Sequence, residues 1–301
     1  MFQKIMYPVD FSPSCEAILR AFPELKSFNM KEIVIVHIIE YDPVALVEGG
    51  VNIDECIFKF KEKAEAQLKS YSETLKNYGF KVKTYLRASV NPVEEILRFA
   101  EKEKVSAIMI GSKSRTIANA LMGSTSEGIV RASEVPVLLI KTKSGTGTGY
   151  YEMILRNIFS RIVYPHDLSE NSDKLFEIVK NAALMGMQDV VIIHAIDAEV
   201  VIERKIEKGE IIHPLVPISY ITEILSEYWM ETKKKLEDIK KRFEMENIES
   251  KIVIKFGSPG REIVRVAREE GASVIIMAPK TITQTVDTVV RYSEVPVLIL
   301  K

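Results

Sequence analysis

Short apolar runs rich in β-branched residues recur along this chain, and between them apolar side chains return every three or four positions. A run without polar alternation suits a strand buried on both faces, as in a parallel sheet. Such runs cover Ile5 to Pro8, Glu32 to Ile39, Lys81 to Arg87, Val105 to Ile110 and Val135 to Ile140. Helical spacing is clearest from about Ile57 to Asn77, where Phe60, Ala64, Leu68, Tyr71 and Leu75 form one stripe. Ser12 before Pro13 reads as an N-cap and first helical residue. Asn91-Pro92-Val93-Glu94 is a stronger start, with cap, proline and a glutamate placed for a capping box, and Ser124-Thr125-Ser126-Glu127 repeats the box. Strands alternating with helices predict an α/β, doubly wound parallel sheet.

The pattern occurs twice. Ile5-Met6-Tyr7-Pro8-Val9-Asp10-Phe11-Ser12 returns as Ile162-Val163-Tyr164-Pro165-His166-Asp167-Leu168-Ser169. The runs ending in His37-Ile38 and His194-Ala195 match, as do Ser133-Glu134-Val135-Pro136-Val137-Leu138 and Ser293-Glu294-Val295-Pro296-Val297-Leu298. Second-copy strands are expected near Arg161–Pro165, Val190–Ile196, Lys251–Phe256, Ser273–Met277 and Val295–Leu300, with a long helix over about Ile218–Glu246 carrying Trp229. The reading is two tandem five-stranded domains, residues 1–143 and 159–301, joined by a linker over 144–158. Ser144 to Gly149 has a flexible composition, and Tyr150 to Ile158 a short helical pattern. The excursions Tyr41–Glu55 and Asp197–Pro217 read as surface loops.

One segment breaks the repeat. The first copy carries a Gly/Ser-bearing stretch from Gly111 to Thr125; the second is seven residues shorter there and has no glycine. In an open parallel sheet, ligands sit outside the carboxyl ends of the strands. Asp10, Ile38 and Gly111-Ser112-Lys113-Ser114-Arg115 all fall at such ends, and Gly123-Ser124-Thr125 opens the next helix. Free helix-start amides, small residues, hydroxyls and two cations make an anion site. The plain alternative is an ordinary helix entry, which the second copy's loss of the segment argues against.

Composition narrows the function classes. Of 301 residues, 47% are hydrophobic and 28% charged, as in globular proteins. The 41 basic and 42 acidic residues leave a net charge of -1, which gives no electrostatic case for nucleic acid. No apolar run approaches the roughly 18 residues that span a bilayer. Cys15 and Cys56 lack metal-type spacing and read as reduced thiols, so a cytoplasmic location and no membrane partner are expected.

At these residues the chain resembles the universal stress protein family in its tandem form, over essentially its whole length. The resemblance rests on Pro8-Val9-Asp10-Phe11-Ser12, on Val36-His37-Ile38 and on the twice-present Val-Pro-Val strand. It implies adenine nucleotide alpha hydrolase-like domains related by a pseudo-two-fold axis and paired through their last strands within one chain, with a homodimer open. It also implies a regulatory or stress-response protein whose N-terminal domain binds AMP, ADP or ATP, with or without magnesium. Asp10 and the backbone at Val9 and Ile38 are the implied adenine and ribose contacts. Gly111, Ser114, Gly123, Ser124 and Thr125 are the implied phosphate contacts, and Pro8, Ile110, Arg115 and Ser126 complete the set. The family's Gly-two-Gly-nine-Gly spacing is altered, with Ser114 for the second glycine and eight residues between it and Gly123. In the second copy Asp167 stays, but Ala278-Pro279-Lys280-Thr281-Ile282-Thr283-Gln284 replaces the loop, so no nucleotide is expected there.

His37 and His194, at equivalent positions, read as packing residues, and His166 as narrowing a second-copy base pocket. His213 has no ligand-type partner in sequence, and no metal site or catalytic set is expected. Two alternatives stay open: an enzyme of adenylate or slow ATP-hydrolysis chemistry, and a scaffold that binds no nucleotide. A phosphate-binding P-loop is absent, as are His-x-Gly-His and Ser-Gly-Gly-x-Asp signatures.

Overall fold

Most of the apolar runs become strands with almost no solvent-facing surface, while Lys81–Ser89, where charged and apolar residues alternate, has no buried residue. Ile5, Met6 and Tyr7 are at most 1% exposed, and Ile33 to Val36, Ile162 to Tyr164 and Val190 to Ile193 are equally buried. Burying such a side chain contributes about 1.5–3 kcal/mol. The computed structural model describes residues 2–48, 53–113, 124–143, 145–186, 189–209, 211 and 217–301. The chain divides into two units, Met1–Asn157 with Leu298–Lys301, and Ile158–Val297.

The first unit runs β1 (Lys4–Pro8), α1 (Pro13–Arg20), a 3-10 segment (Phe22–Phe28), β2 (Glu32–Glu40), α2 (Pro43–Glu48), α3 (Ile53–Asn77), β3 (Lys81–Ser89), α4 (Pro92–Glu103), β4 (Ala107–Lys113), α5 (Ser124–Ala132), β5 (Val137–Thr142) and α6 (Thr148–Arg156). Its strand order is β3-β2-β1-β4-β5, all parallel, with Lys4 facing Glu32 and Pro8 facing Val36. The order reverses between β1 and β4, the switch point at which open sheets bind ligands.

The second repeat runs β6 (Arg161–Pro165), α7 (Glu170–Lys174), α8 (Phe176–Gly186), β7 (Asp189–Ile196), α9 (Ala198–Glu207), α10 (Ile218–Met245), β8 (Ser250–Phe256), α11 (Pro259–Glu269), β9 (Val274–Met277), α12 (Gln284–Tyr292) and β10 (Val297–Ile299), the last strand crossing the unit boundary after Val297. Its order, β10-β9-β6-β7-β8, is the same winding.

The repeat extends to individual hydrogen bonds. Tyr7 Oη donates to the Cys15 carbonyl, and Tyr164 Oη to that of Ser172. Lys4 Nζ donates to the Glu103 carbonyl at 2.6 Å, and Arg161 Nη1 to the Glu270 carbonyl at 2.8 Å. Each cation thus sits on the carbonyl end of a helix, where it suits the dipole. Glu103 is buried to 8% exposure and accepts from Lys4 Nζ, Lys83 Nζ and Tyr85 Oη.

Several expectations are corrected. The two excursions contain helices, because Asp42 Oδ1 accepts from the Val44 amide and Asp197 Oδ1 from the Glu199 amide, each starting a helix. The helical pattern expected over Tyr150–Ile158 is present as α6, which starts two residues earlier, buries Tyr151 and Leu155 and ties Arg156 to Glu24 at 2.8 and 2.9 Å. The fifth strand of each copy starts two residues late: Ser133 and Ser293 hydroxyls grip the amide and carbonyl of Val135 and Val295, closing a turn. Val105 lies outside β4 because its amide finishes α4 on the Ala100 carbonyl. His213 and Pro214 lie outside the described residues, as does the side chain of Cys56.

The helix pairs α4–α5 and α11–α12 touch through opposite devices. A Cβ on Gly128 of α5 would meet Val93 Cγ2 at 2.6 Å, while a Cβ on Gly260 of α11 would meet Thr288 Cβ at 2.6 Å. Val93 corresponds in the repeat to Gly260, and Gly128 to Thr288, so bump and hole have changed sides.

Two outcomes follow. Gly260→Val is expected to lower stability by about 2 kcal/mol through overpacking, and adding Thr288→Gly to restore most of that loss in urea unfolding of the full chain. Three donors depress the Glu103 carboxyl to about 2 from an ordinary 4.5, those of Lys4, Lys83 and Tyr85 in that order. Its contribution is therefore complete above the ordinary value and lost as pH falls toward 2. Glu103→Gln should cost about 2 kcal/mol at neutral pH and flatten the acid limb of the stability curve.

Candidate functional site

Pro8 closes β1, and the chain then leaves the sheet through a tight turn. The Val9 amide donates to the Val36 carbonyl at 2.8 Å, and the Val9 carbonyl accepts from His37 Nδ1 at 2.7 Å. Asp10 Oδ1 accepts the Ser12 amide at 2.9 Å, and Ser12 Oγ caps α1 on the Cys15 amide at 3.2 Å. Between them Phe11 takes a left-handed φ of 57°. That conformation is costly for a bulky residue, and the Phe11 ring is held 4.3 Å from the His37 ring and 5.7 Å from that of Tyr71. The Asp10 carboxylate is left on the exposed side at the switch point.

The other wall comes from β4 and α5. Ile110 is buried, and Gly111 follows in register with Ile140. Ser126 Oγ donates to the Gly111 carbonyl at 3.4 Å, docking the first turn of α5 on the end of β4. Ser124 and Thr125 precede it in the same turn. Gly111 itself was expected to admit an anion. A Cβ there would lie 3.3 Å from Thr142 Cγ2 and 3.5 Å from Ile18 Cδ1, so packing also favours glycine at this position. The Ser112 hydroxyl is buried with no hydrogen-bond partner among the described residues. Ser114, Arg115 and Gly123 lie outside the described residues. Pro8, Val9 and Asp10 at the end of β1, Ile38 near the end of β2, Ile110 and Gly111 on β4, and Ser124 to Ser126 on α5 all fall where the sequence placed them relative to these elements.

Sequence reasoning missed the role of Phe11. A large residue in a left-handed turn has no positional signal, although Leu168 repeats it with φ 63°. The thiol of Cys15 is buried and pushed up to about 11, which suits packing rather than redox chemistry.

In the second unit the same turn is tied more tightly. Asp167 Oδ1 accepts the Ser169 amide at 3.0 Å and the hydroxyls of Ser169 and Ser172 at 2.5 and 2.6 Å. Burial acts to raise its pKa, but those donors prevail and lower it. His166, expected to narrow a pocket, is instead 3% exposed. Its Nδ1 accepts the Leu168 amide at 3.0 Å, its Nε2 is 3.5 Å from Asp173 Oδ1, and its ring stands edge-on to Tyr164. His194 repeats His37, with Nδ1 2.7 Å from the His166 carbonyl. Burial lowers the pKa of all three rings.

These contacts fix the tautomers. A carbonyl only accepts, so His37 and His194 carry the proton on Nδ1; an amide only donates, so His166 carries it on Nε2. Long-range 15N–1H correlation spectra of the ring nitrogens should show this split, with all three rings neutral at pH 7. An Nε2–H signature for His37 would contradict the strand-end geometry.

A sequence profile of the Universal stress protein family matches residues 1–141 and 159–301. The chain is 30% identical over 159 residues to universal stress protein MJ0577 of Methanocaldococcus jannaschii, a match covering 48% of this chain and 98% of that protein. The fold is similar to that of a universal stress protein from Archaeoglobus fulgidus DSM 4304, with a TM-score of 0.73, 22% identity and coverage of 100% and 99% of the two chains. It is also similar to that of PA1789 from Pseudomonas aeruginosa PAO1, with a TM-score of 0.60, 15% identity and coverage of 100% and 92%. With the profile matched across both repeats, this chain belongs to the universal stress protein family.

Proposed function

We propose that the first unit binds one adenine nucleotide per chain and that the protein acts by binding rather than by catalysis. The observation that carries the reading is the Ser126–Gly111 contact, which sets the α5 start at the end of β4 beside the Asp10 turn. Asp10 has one oxygen held by Ser12 and a second available to accept a ribose hydroxyl. The first-turn amides of α5 and the hydroxyls of Ser124 and Thr125 suit phosphate oxygens. The unpartnered Ser112 hydroxyl on the adjoining strand is a further donor that a polar ligand would satisfy.

The chain's own residues supply binding and orientation. Val9 has both its amide and one carbonyl lone pair engaged, so it shapes the turn and presents Asp10. His37 donates Nδ1–H to the Val9 carbonyl and packs its ring against Phe11, so it holds the turn in place. Nucleotide then acts by favouring one conformation or partner surface over another. In the second unit, the absent loop supports one nucleotide rather than two.

Calorimetric titration of AMP, ADP and ATP, each with and without magnesium, should saturate at one equivalent. Asp10→Ala is expected to weaken all three by about tenfold. Thr125→Asp introduces an acidic residue, which a helix start tolerates, and should weaken ATP more than AMP by charge repulsion. Folded, nucleotide-free protein that gives no heat at millimolar nucleotide would leave the scaffold reading.

A further inference from the structure

The second unit has a cavity of about 300 Å³ at the carboxyl ends of β6 and β7. Asp167 and His194 come to it from the strand ends, Arg204 from α9, Tyr228 from α10, and Ser258 and Thr285 from the starts of α11 and α12. Ile196, Val200 and Val201 add an apolar wall. Every one of these residues belongs to the second unit.

His194 is the informative group. It is 6% exposed, and its Nδ1–H is engaged by the His166 carbonyl at 2.7 Å. Its Nε2 has no hydrogen-bond partner among the described residues, and the ring lines the cavity. A ring nitrogen with an open lone pair facing a cavity accepts a hydroxyl or amino donor. The Asp167 carboxylate beside it has three donors on Oδ1, leaving Oδ2 as a second acceptor.

The opposite chemistry comes from the helices. No ion pair holds Arg204 among the described residues. Ser258 and Thr283 make no side-chain cap bond, so the amides of Gly260 and Arg261 behind Pro259 in α11, and the first amides of α12, keep their donors. The bare Gly260 against Thr288 brings these two helix starts close together. A cation and two dipole ends favour an anionic group.

We propose that this cavity is a second ligand site, for a small anion-bearing polyol. Its hydroxyls are held by His194 Nε2 and Asp167, and its phosphate or carboxylate by Arg204 and the α11 and α12 amides. The site differs from the nucleotide site in having no glycine-bearing loop.

Methyl-resolved 1H–13C spectra of the full chain test this. D-ribose 5-phosphate and D-gluconate are titrated in parallel, with neutral D-ribose as the control. Saturable shifts at the Ile196, Val200 and Val201 methyls are expected at about 10 mM or below, from the phosphate, the carboxylate or both. Whichever of the two shifts them identifies the anion. Arg204→Gln should weaken that response about tenfold while leaving the remaining methyl spectrum unchanged. No shift at these methyls with either anion, or an equal response to D-ribose, would overturn the proposal. The methyls of Ile38 and Ile110 report the first unit, so an AMP titration of the same sample reads the nucleotide proposal separately.

Discussion

Strands buried on both faces leave no room along their length for polar chemistry. β1 and β6 are five residues each, and every interior position is apolar and closed to solvent. Water, charge and ligand are therefore met at the strand ends, and the first residues past β1 and β6 decide what the fold can do. There the backbone is pinned by a histidine from the next strand, His37 on Val9 and His194 on His166. That bond joins two neighbouring strands at the point where their ladder stops. It stabilises by about 1 kcal/mol, but its geometric effect is larger, because it fixes the turn that presents Asp10 and Asp167.

The two copies diverge from this shared frame by what surrounds the turn. In the first, Asp10 takes one internal hydrogen bond, and the helix start beyond β4 carries three hydroxyl residues in succession, Ser124 to Ser126. In the second, Asp167 takes three and the following helix starts with Gln284-Thr285-Val286. A carboxylate oxygen already filled by internal donors presents less to a ligand than one holding a single amide. The divergence is therefore electrostatic as well as steric, and it leaves the sheet order untouched.

Most of the fold was legible because its signals are local and redundant. Apolar runs marked the strands, Ser12-Pro13 and Asn91-Pro92 marked helix starts, and the repeat checked one copy against the other. What was missed follows from particular hydrogen bonds. Asp42-Pro43 and Asp197 are helix starts of the same kind, but the polar stretches around them masked the short helices that follow. The strands after Ser133 and Ser293 were drawn too long, since Val135 and Val295 look like strand residues and are held in a turn by a hydroxyl. At the site, residue types and element ends were readable, whereas the left-handed Phe11, the inward turn of His166 and the packing of Gly111 depend on long-range contacts. Cavities have no sequence signature at all: the one beside His194 arises from six elements meeting.

The exchanged bump and hole between the helix pairs has a consequence for how such tandem genes change. In α4–α5 the large partner, Val93, is on the first helix; in α11–α12 the large partner, Thr288, is on the second. A recombination event that carried only α4 into the second copy would set valine against threonine. One that carried only α11 into the first would face glycine with glycine and leave a void. Sequence can therefore pass between the repeats only as the whole segment spanning both helices, and that segment includes the loop that separates the two functions. Packing alone thus resists homogenisation of the copies by gene conversion, and helps each to keep its own strand-end surroundings.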